Sequence, residues 1–349
     1  MEKPSARKYH GLQALRFLAA FLVVVYHATS IASEQMHNIP VWVKGGYGID
    51  LFFVLSGFVI VWSSVQLLGT RDGWRIFAER RLVRVVPMYW IATVLKAIAV
   101  LAAGSMVVHV RLNIVTLLGS LLFIPCRNLD GLFMPILGVG WTLNYEMFFY
   151  AIFGLALFFK SDVFRLSGII FFLLAVGSYF RQPSWPWPSF YLSSLVLEFF
   201  FGMLIARACI AEKHLPQKIA IPLLLAGLVL LLTPTPLDKL PPVIPEGIPA
   251  AAVILSVASL EKYFQRIPRV IVFLSEASYS IYLFHLLAAQ LPIVAMVKMH
   301  LNYPFIAVAL SIAISLFVGS FMHQFVERPI TNWFRDRLKV RHQKIIHAV

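Results

Sequence analysis

Arg16 and His27 lie eleven residues apart in a first apolar run, 12–31. Eleven residues is close to three helical turns, so in a helix both side chains share a face, roughly 16 Å apart along the axis. Ionisable side chains at such depths are costly in a bilayer, by roughly 2.5–3.5 kcal/mol for a midplane Arg on insertion scales, and are functional candidates by default. A neutral imidazole can take the proton of a hydroxyl, and a guanidinium can hold paired oxygens of a phosphate. Taken singly, Arg16 is also explained by snorkelling to the headgroups and His27 by a hydrogen bond between packed helices.

Four further segments carry polar groups that such chemistry could use. Gly45-Gly46-Tyr47-Gly48-Ile49-Asp50 sets an acid at a helix start. Asp50 either caps that helix, favoured by its dipole, or meets His27 and fixes its tautomer as an acid does for a catalytic imidazole. Ser56-Gly57 farther on reads as close helix packing. Arg71, Arg75, Arg80, Arg81 and Arg84 precede Pro87. Arg80, Arg81 and Arg84 form a compact cluster suited to a polyphosphate, with contact to anionic headgroups as the alternative. Trp141-Thr142-Leu143-Asn144-Tyr145-Glu146 buries an acid among aromatics, and it needs an ion-pair partner such as Arg16 or a wet cavity. Ser278, Tyr282 and His285 fall on one helical stripe, as a cavity wall or as interhelical hydrogen-bonding groups. Cys126 and Cys209 offer neither a disulfide framework nor metal-ligand spacing, so no metal is expected.

The elements that must position these groups follow from composition. Of 349 residues 60% are hydrophobic and 13% charged, with mean hydropathy +0.80, which describes an all-α polytopic membrane protein. The net charge of +14 is carried between apolar runs, so it points to topology and anionic lipid and not to nucleic acid. Apolar runs occupy roughly 12–31, 47–68, 86–108, 135–159, 163–180, 189–208, 219–233, 248–260, 270–298 and 304–326. The first run resembles a signal peptide, but cleavage would discard His27, and it is read as a retained helix. Segment 112–125 is too short to cross and suits a re-entrant or interfacial piece. Ten spans with both termini cytoplasmic put 23 of the 30 Lys and Arg on the cytoplasmic side, Lys3 and Arg7 among them and Arg111 on the other side, as the positive-inside rule requires. This topology places Asp50 near His27 in depth and Glu146, Glu198 and His285 within the membrane. One membrane domain is expected across 1–349, with 327–349 as a basic cytoplasmic tail.

Taken in order, these segments resemble the integral-membrane acyltransferase 3 family of bacterial O-acyltransferases that act on exopolysaccharide, lipopolysaccharide and related glycans. The resemblance rests on Leu12-Gln13-Ala14-Leu15-Arg16 with the spacing to His27, on Gly48 to Phe58, on Arg80-Arg81-x-x-Arg84-x-x-Pro87, on Trp141-Thr142-Leu143 ahead of Glu146, on Ser278-Tyr279-x-Ile281-Tyr282-Leu283-x-His285, and on Glu327-Arg328-Pro329. Gln13-Ala14 stands where many members carry Asp-Gly. The resemblance implies transfer of an acyl group, usually acetyl, from cytoplasmic acyl-CoA to a glycan hydroxyl in a bacterial inner membrane. His27 would be catalytic with Asp50 behind it, and Arg16, Arg80, Arg81 and Arg84 would bind acyl-CoA. Glu146, Trp141, Tyr282 and His285 would line the acceptor cavity. Acyl-CoA would be a co-substrate, with no permanently bound cofactor; the partners would be a polysaccharide or lipid-linked glycan and membrane lipids. The rival is a proton-coupled secondary transporter of a glycan or lipid-linked sugar, for which the buried acids and histidines would serve as a relay.

Overall fold

The computed structural model describes residues 8–36, 39–103 and 112–346. Twelve α-helices make up most of it: α1 His10–Met36, α2 Gly48–Ser64, α3 Gly73–Ala103, α4 Ile114–Leu121, α5 Gly140–Phe158, α6 Val163–Gly177, α7 Val196–Ile210, α8 Gln217–Leu232, α9 Ile248–Ser259, α10 Arg269–Lys298, α11 Pro304–Met322 and α12 Arg328–Ile346. Among the described residues there is no strand, only an isolated bridge between Arg127 and Phe133. Sequence chemistry sets several helix ends. The Asp162 carboxylate accepts from the Phe164 and Arg165 amides and starts α6, and Asn113 and Thr116 form a reciprocal capping box on α4.

By length and hydropathy, six helices among the described residues can cross a membrane: His10–Met36, Val43–Leu67, Gly73–Ala102, Val163–Phe180, Arg269–Lys298 and Pro304–Leu338. The segments Gln217–Leu232 and Val243–Ser259 are apolar but shorter, and α5 opens on polar Thr142, Asn144 and Glu146. The outer part of the expected 86–108 run, and Lys3, Arg7 and Arg111, lie outside the described residues. Segment 112–125 forms only the eight-residue α4 followed by a turn. At about 12 Å this helix cannot cross a bilayer. Its end is pinned to α3: the Trp90 indole donates to the Leu121 carbonyl at 2.8 Å, and Phe123 stacks on Tyr89 at 4.7 Å.

α1 is not peripheral; it packs against α10, α2 and α11. At its first turn the amides of His10 and Gly11 donate to the Glu261 carboxylate at 2.6 and 3.0 Å, which fastens the α9–α10 link there. At the other end of the bundle Lys44 pairs with Asp238 at 2.8 Å. α2 and α7 cross in close contact. A Cβ on Gly57 would lie 2.0 Å from the Phe199 carbonyl oxygen, and one on Gly202 1.9 Å from that of Val54. Only glycine admits backbones at that separation, and close approach of this kind is how helices associate in lipid.

The glycines before Asp50 act differently. Residues Val43–Tyr47 form a 3-10 helix laid against the flank of α1. Cβ atoms on Gly45 and Gly48 would meet the carbonyl oxygens of Leu22 at 2.6 Å and Ala19 at 2.3 Å. The chain therefore descends beside α1 before α2 begins, and α2 starts at the depth of Ala19. That is roughly 12 Å from His27 along the α1 axis, counting eight residues.

Candidate active site

Five helices line a cavity that, counted with the solvent space open to it, holds about 700 Å³. α1 supplies Arg16, α2 supplies Phe52, Phe53 and Ser56, α3 supplies Arg81 and Arg84, α5 supplies Thr142, Glu146 and Tyr150, and α10 supplies Ser278, Tyr279 and Tyr282. Its wall thus holds three guanidiniums and one carboxylate. Glu146 does not pair with Arg16: its carboxylate accepts from Ser56 Oγ at 3.3 Å and from the Tyr150 hydroxyl one turn on. Arg81, 7% exposed, donates to Ser63 Oγ and lies over the rings of Phe77 and Tyr150, while its buried Nε–H has no partner. A buried cationic N–H left open beside two further arginines is suited to an anion with several oxygens.

Spacing on α3 decides which arginines reach this wall. Arg81 and Arg84, three residues apart, face inward. Arg80 is rotated out, exposed, and lines no part of the cavity, so the expected three-arginine cluster is reduced to two, with Arg16 as the third cation from another helix.

Tyr282 closes the cavity toward the histidines. Its hydroxyl lies 2.8 Å from Thr142 Oγ and donates to the Val139 carbonyl at 3.2 Å, and its ring packs on Phe52 at 5.5 Å. Behind it, 5.9 Å between ring centroids, is His285, and 5.1 Å further is His27. His285 is therefore one side chain removed from the cavity, and His27 lies behind it. His285 is fully buried, with Nδ1 2.7 Å from the Tyr282 carbonyl oxygen. A carbonyl can only accept, so Nδ1 carries the proton and Nε2 presents a lone pair. That Nε2 has no partner among the described residues.

The expected meeting of Asp50 with His27 is not formed, because the glycine-rich descent carries Asp50 past His27 in depth. Asp50 instead faces the carboxyls of Glu198 on α7 and Glu246. Gly247 makes room for Glu198, since a Cβ there would stand 2.8 Å from its Cγ. Trp141 also lies off the cavity wall; it packs edge-on against Phe53 and Tyr145 at 6.2 and 6.0 Å. Among the described residues no group of three His, Cys, Asp or Glu is arranged to hold a metal ion.

Comparison with known proteins gives a family whose model, described as an acyltransferase domain (Acyl_transf_3), matches residues 9–324. The chain belongs to this acyltransferase family. Among curated relatives of the family, it is 30% identical over 326 residues to the exopolysaccharide production protein ExoZ of Rhizobium meliloti (strain 1021), a match covering 90% of this chain and 96% of that protein. It is 33% identical over 101 residues to the peptidoglycan O-acetyltransferase OatA of Listeria monocytogenes serovar 1/2a, covering 27% of this chain and 14% of that protein. No solved structure matches. The match to the acyltransferase model takes in every segment that builds the cavity. Two of its wall residues, Tyr150 and Tyr279, were not singled out as site residues from sequence. Tyr150 stands four residues after Glu146, and that helical spacing alone could have marked it. The Tyr279 hydroxyl donates across helices to the Val85 carbonyl at 2.7 Å, a pairing with no local signal.

Proposed function

We propose that this chain is a multi-pass O-acyltransferase that moves an acyl group, most simply acetyl, from acyl-CoA to a hydroxyl of an exported polysaccharide. The observation that carries the reading is the cavity wall: Arg16, Arg81 and Arg84 against one carboxylate, ending at Tyr282 one ring from the imidazole pair. In this reading the phosphates of the donor pair with the three guanidiniums, and the thioester end lies toward Tyr282. His27 takes the proton of the acceptor hydroxyl, whose oxygen attacks the thioester carbonyl. The carbon–sulfur bond breaks, and the thiolate leaves with the proton as free CoA thiol. Direct transfer of this kind needs no acyl-imidazole. His285, anchored by its Nδ1–H to the Tyr282 carbonyl, packs against the His27 ring and positions it. Asp50, Glu198 and Glu246 form a separate buried cluster beside the cavity.

The same proposal includes one domain crossing a bacterial inner membrane ten times, with both termini and the donor on the cytoplasmic side, as the distribution of Lys and Arg favours. The names of the relatives, one in exopolysaccharide production and one in peptidoglycan O-acetylation, favour a glycan acceptor. Family membership favours this reading over the transporter. The test is thiol release from acetyl-CoA by membranes bearing the protein, with bacterial polysaccharide added, against His27→Ala at matched expression. Loss of release in the variant is expected; equal release from both would refute the assignment of His27.

A further inference from the structure

A second pocket lies at the end of the bundle where Lys44 pairs with Asp238. It is an open pocket, bounded by the 127–133 loop, the 178–194 segment and Pro242, with about 870 Å³ of space counted together with the adjoining solvent. Two arginines line it, and both guanidiniums lie over one ring, Phe133, at 4.1 Å for Arg127 and 5.8 Å for Arg181. They differ in what holds them. Arg127 is spent on structure: it donates to the carbonyls of Gly131 at 2.5 Å, Trp185 at 3.0 Å and Pro183. Arg181 is half-buried, and among the described residues its guanidinium has no hydrogen bond or ion pair. No carboxylate lines the pocket, and Asp130, the acid of the neighbouring loop, is turned to Asn128 at 3.1 Å.

The rest of the wall sets Ser178, Ser193 and Ser194 beside apolar Leu132, Leu192 and Pro242. The rings of Trp185 and Trp187 are exposed on the rim segment. An unused guanidinium fork recognises a carboxylate bidentately. Flat aromatic faces beside hydroxyl and carbonyl groups suit a ring with one apolar face and several hydroxyls. The pocket is also connected to the cavity of the active site. Phe133 packs on Phe190 at 5.8 Å, Phe190 on Tyr145 at 4.4 Å, and Tyr145 on Phe53 of the cavity wall at 6.0 Å. The Tyr145 hydroxyl donates to the Phe190 carbonyl at 2.6 Å and locks this path.

We infer that this pocket is a docking subsite for the glycan acceptor, and that Arg181 selects a sugar bearing a carboxylate. The inference rests on the acyltransferase reading for its acceptor and on the pocket geometry for its charge preference. The full-length protein in phosphatidylcholine nanodiscs is titrated calorimetrically with oligogalacturonate and with its methyl ester. The wild type binds the acid form, the ester binds roughly tenfold to a hundredfold more weakly, and Arg181→Gln lowers affinity for the acid by a similar factor. Arg181→Lys keeps part of the affinity, and acetyl-CoA binding is unchanged in both variants, which controls for folding. Equal binding of acid and ester, or of wild type and Arg181→Gln, overturns the subsite. So does displacement of the oligosaccharide by phosphatidylglycerol in an Arg181-dependent manner, which would make the pocket a headgroup site. Thiol release from acetyl-CoA is measured on the same samples. Release without Arg181-dependent binding removes the subsite alone, whereas Arg181-dependent binding without release removes the transferase reading alone.

Discussion

Replacing His285 with phenylalanine tests the imidazole pair. The phenyl ring keeps the packing between Tyr282 and His27, whose centroids stand 5.9 and 5.1 Å from the His285 ring, and removes both nitrogens. The Nδ1–H donor to the Tyr282 carbonyl, 2.7 Å away, is lost together with the Nε2 lone pair. Leaving buried polar groups without their partner costs about 1–3 kcal/mol. If that loss falls on the transition state, at 1.36 kcal/mol per tenfold in rate, kcat falls roughly fivefold to 150-fold. His285 does not line the cavity proposed for the donor, so KM for acyl-CoA is expected to stay within a factor of about two. His285→Gln, whose amide carries an N–H donor for that carbonyl, recovers part of the rate. Initial rates of thiol release over a range of acetyl-CoA concentrations separate kcat from KM. A His285→Phe enzyme with unchanged kcat, or with raised KM at unchanged kcat, refutes the positioning role.

The two orientations on α3 predict opposite outcomes for neighbouring arginines: Arg84→Ala raises KM for acyl-CoA roughly tenfold or more, while Arg80→Ala, exposed and off the wall, stays within about threefold. Equal losses would return Arg80 to the donor site. Gly202→Ala drives a methyl to 1.9 Å from the Val54 carbonyl oxygen, and the strain of such overpacking, about 1–3 kcal/mol, is expected to lower the thermal midpoint in detergent; an unchanged midpoint contradicts the close crossing. The Lys44 ammonium holds the Asp238 carboxyl below its usual range. A depressed carboxylate stabilises the fold above its unfolded value, near pH 4, and that contribution is lost as pH falls through the lower folded value. Asp238→Asn therefore flattens the acid limb of a stability–pH curve below about pH 4, and a limb identical to wild type would remove the pair from the pH dependence.

Features that depend on local pattern were legible before any coordinates. The single long apolar helix that carries Arg16 and His27, the inability of 112–125 to cross, and the packing role of Gly57 all follow from residue type and helical spacing. What could not be read was how segments lie against one another. Gly45, Gly46 and Gly48 signalled an unusual backbone, but only their contact with Leu22 and Ala19 shows that α2 begins far down α1, and this is why Asp50 missed its expected partner. Arg80 and Arg84 are one turn apart, and composition alone cannot say which faces a neighbour. The His27–His285 contact joins helices some 250 residues apart in sequence, and each residue alone reads as an ordinary buried histidine.

The crossing of Gly57 and Gly202 has a mechanical consequence. With each backbone seated against the other's carbonyls at van der Waals contact, sliding α2 along α7 would drive main-chain atoms into one another. The two helices therefore move as one strut. Any widening of the cavity to admit a bulky donor must be supplied by the walls not bolted to it, α3 and α5 on one flank or α1 and α10 on the other, while Ser56 and Phe53 remain fixed as the reference against which those walls open.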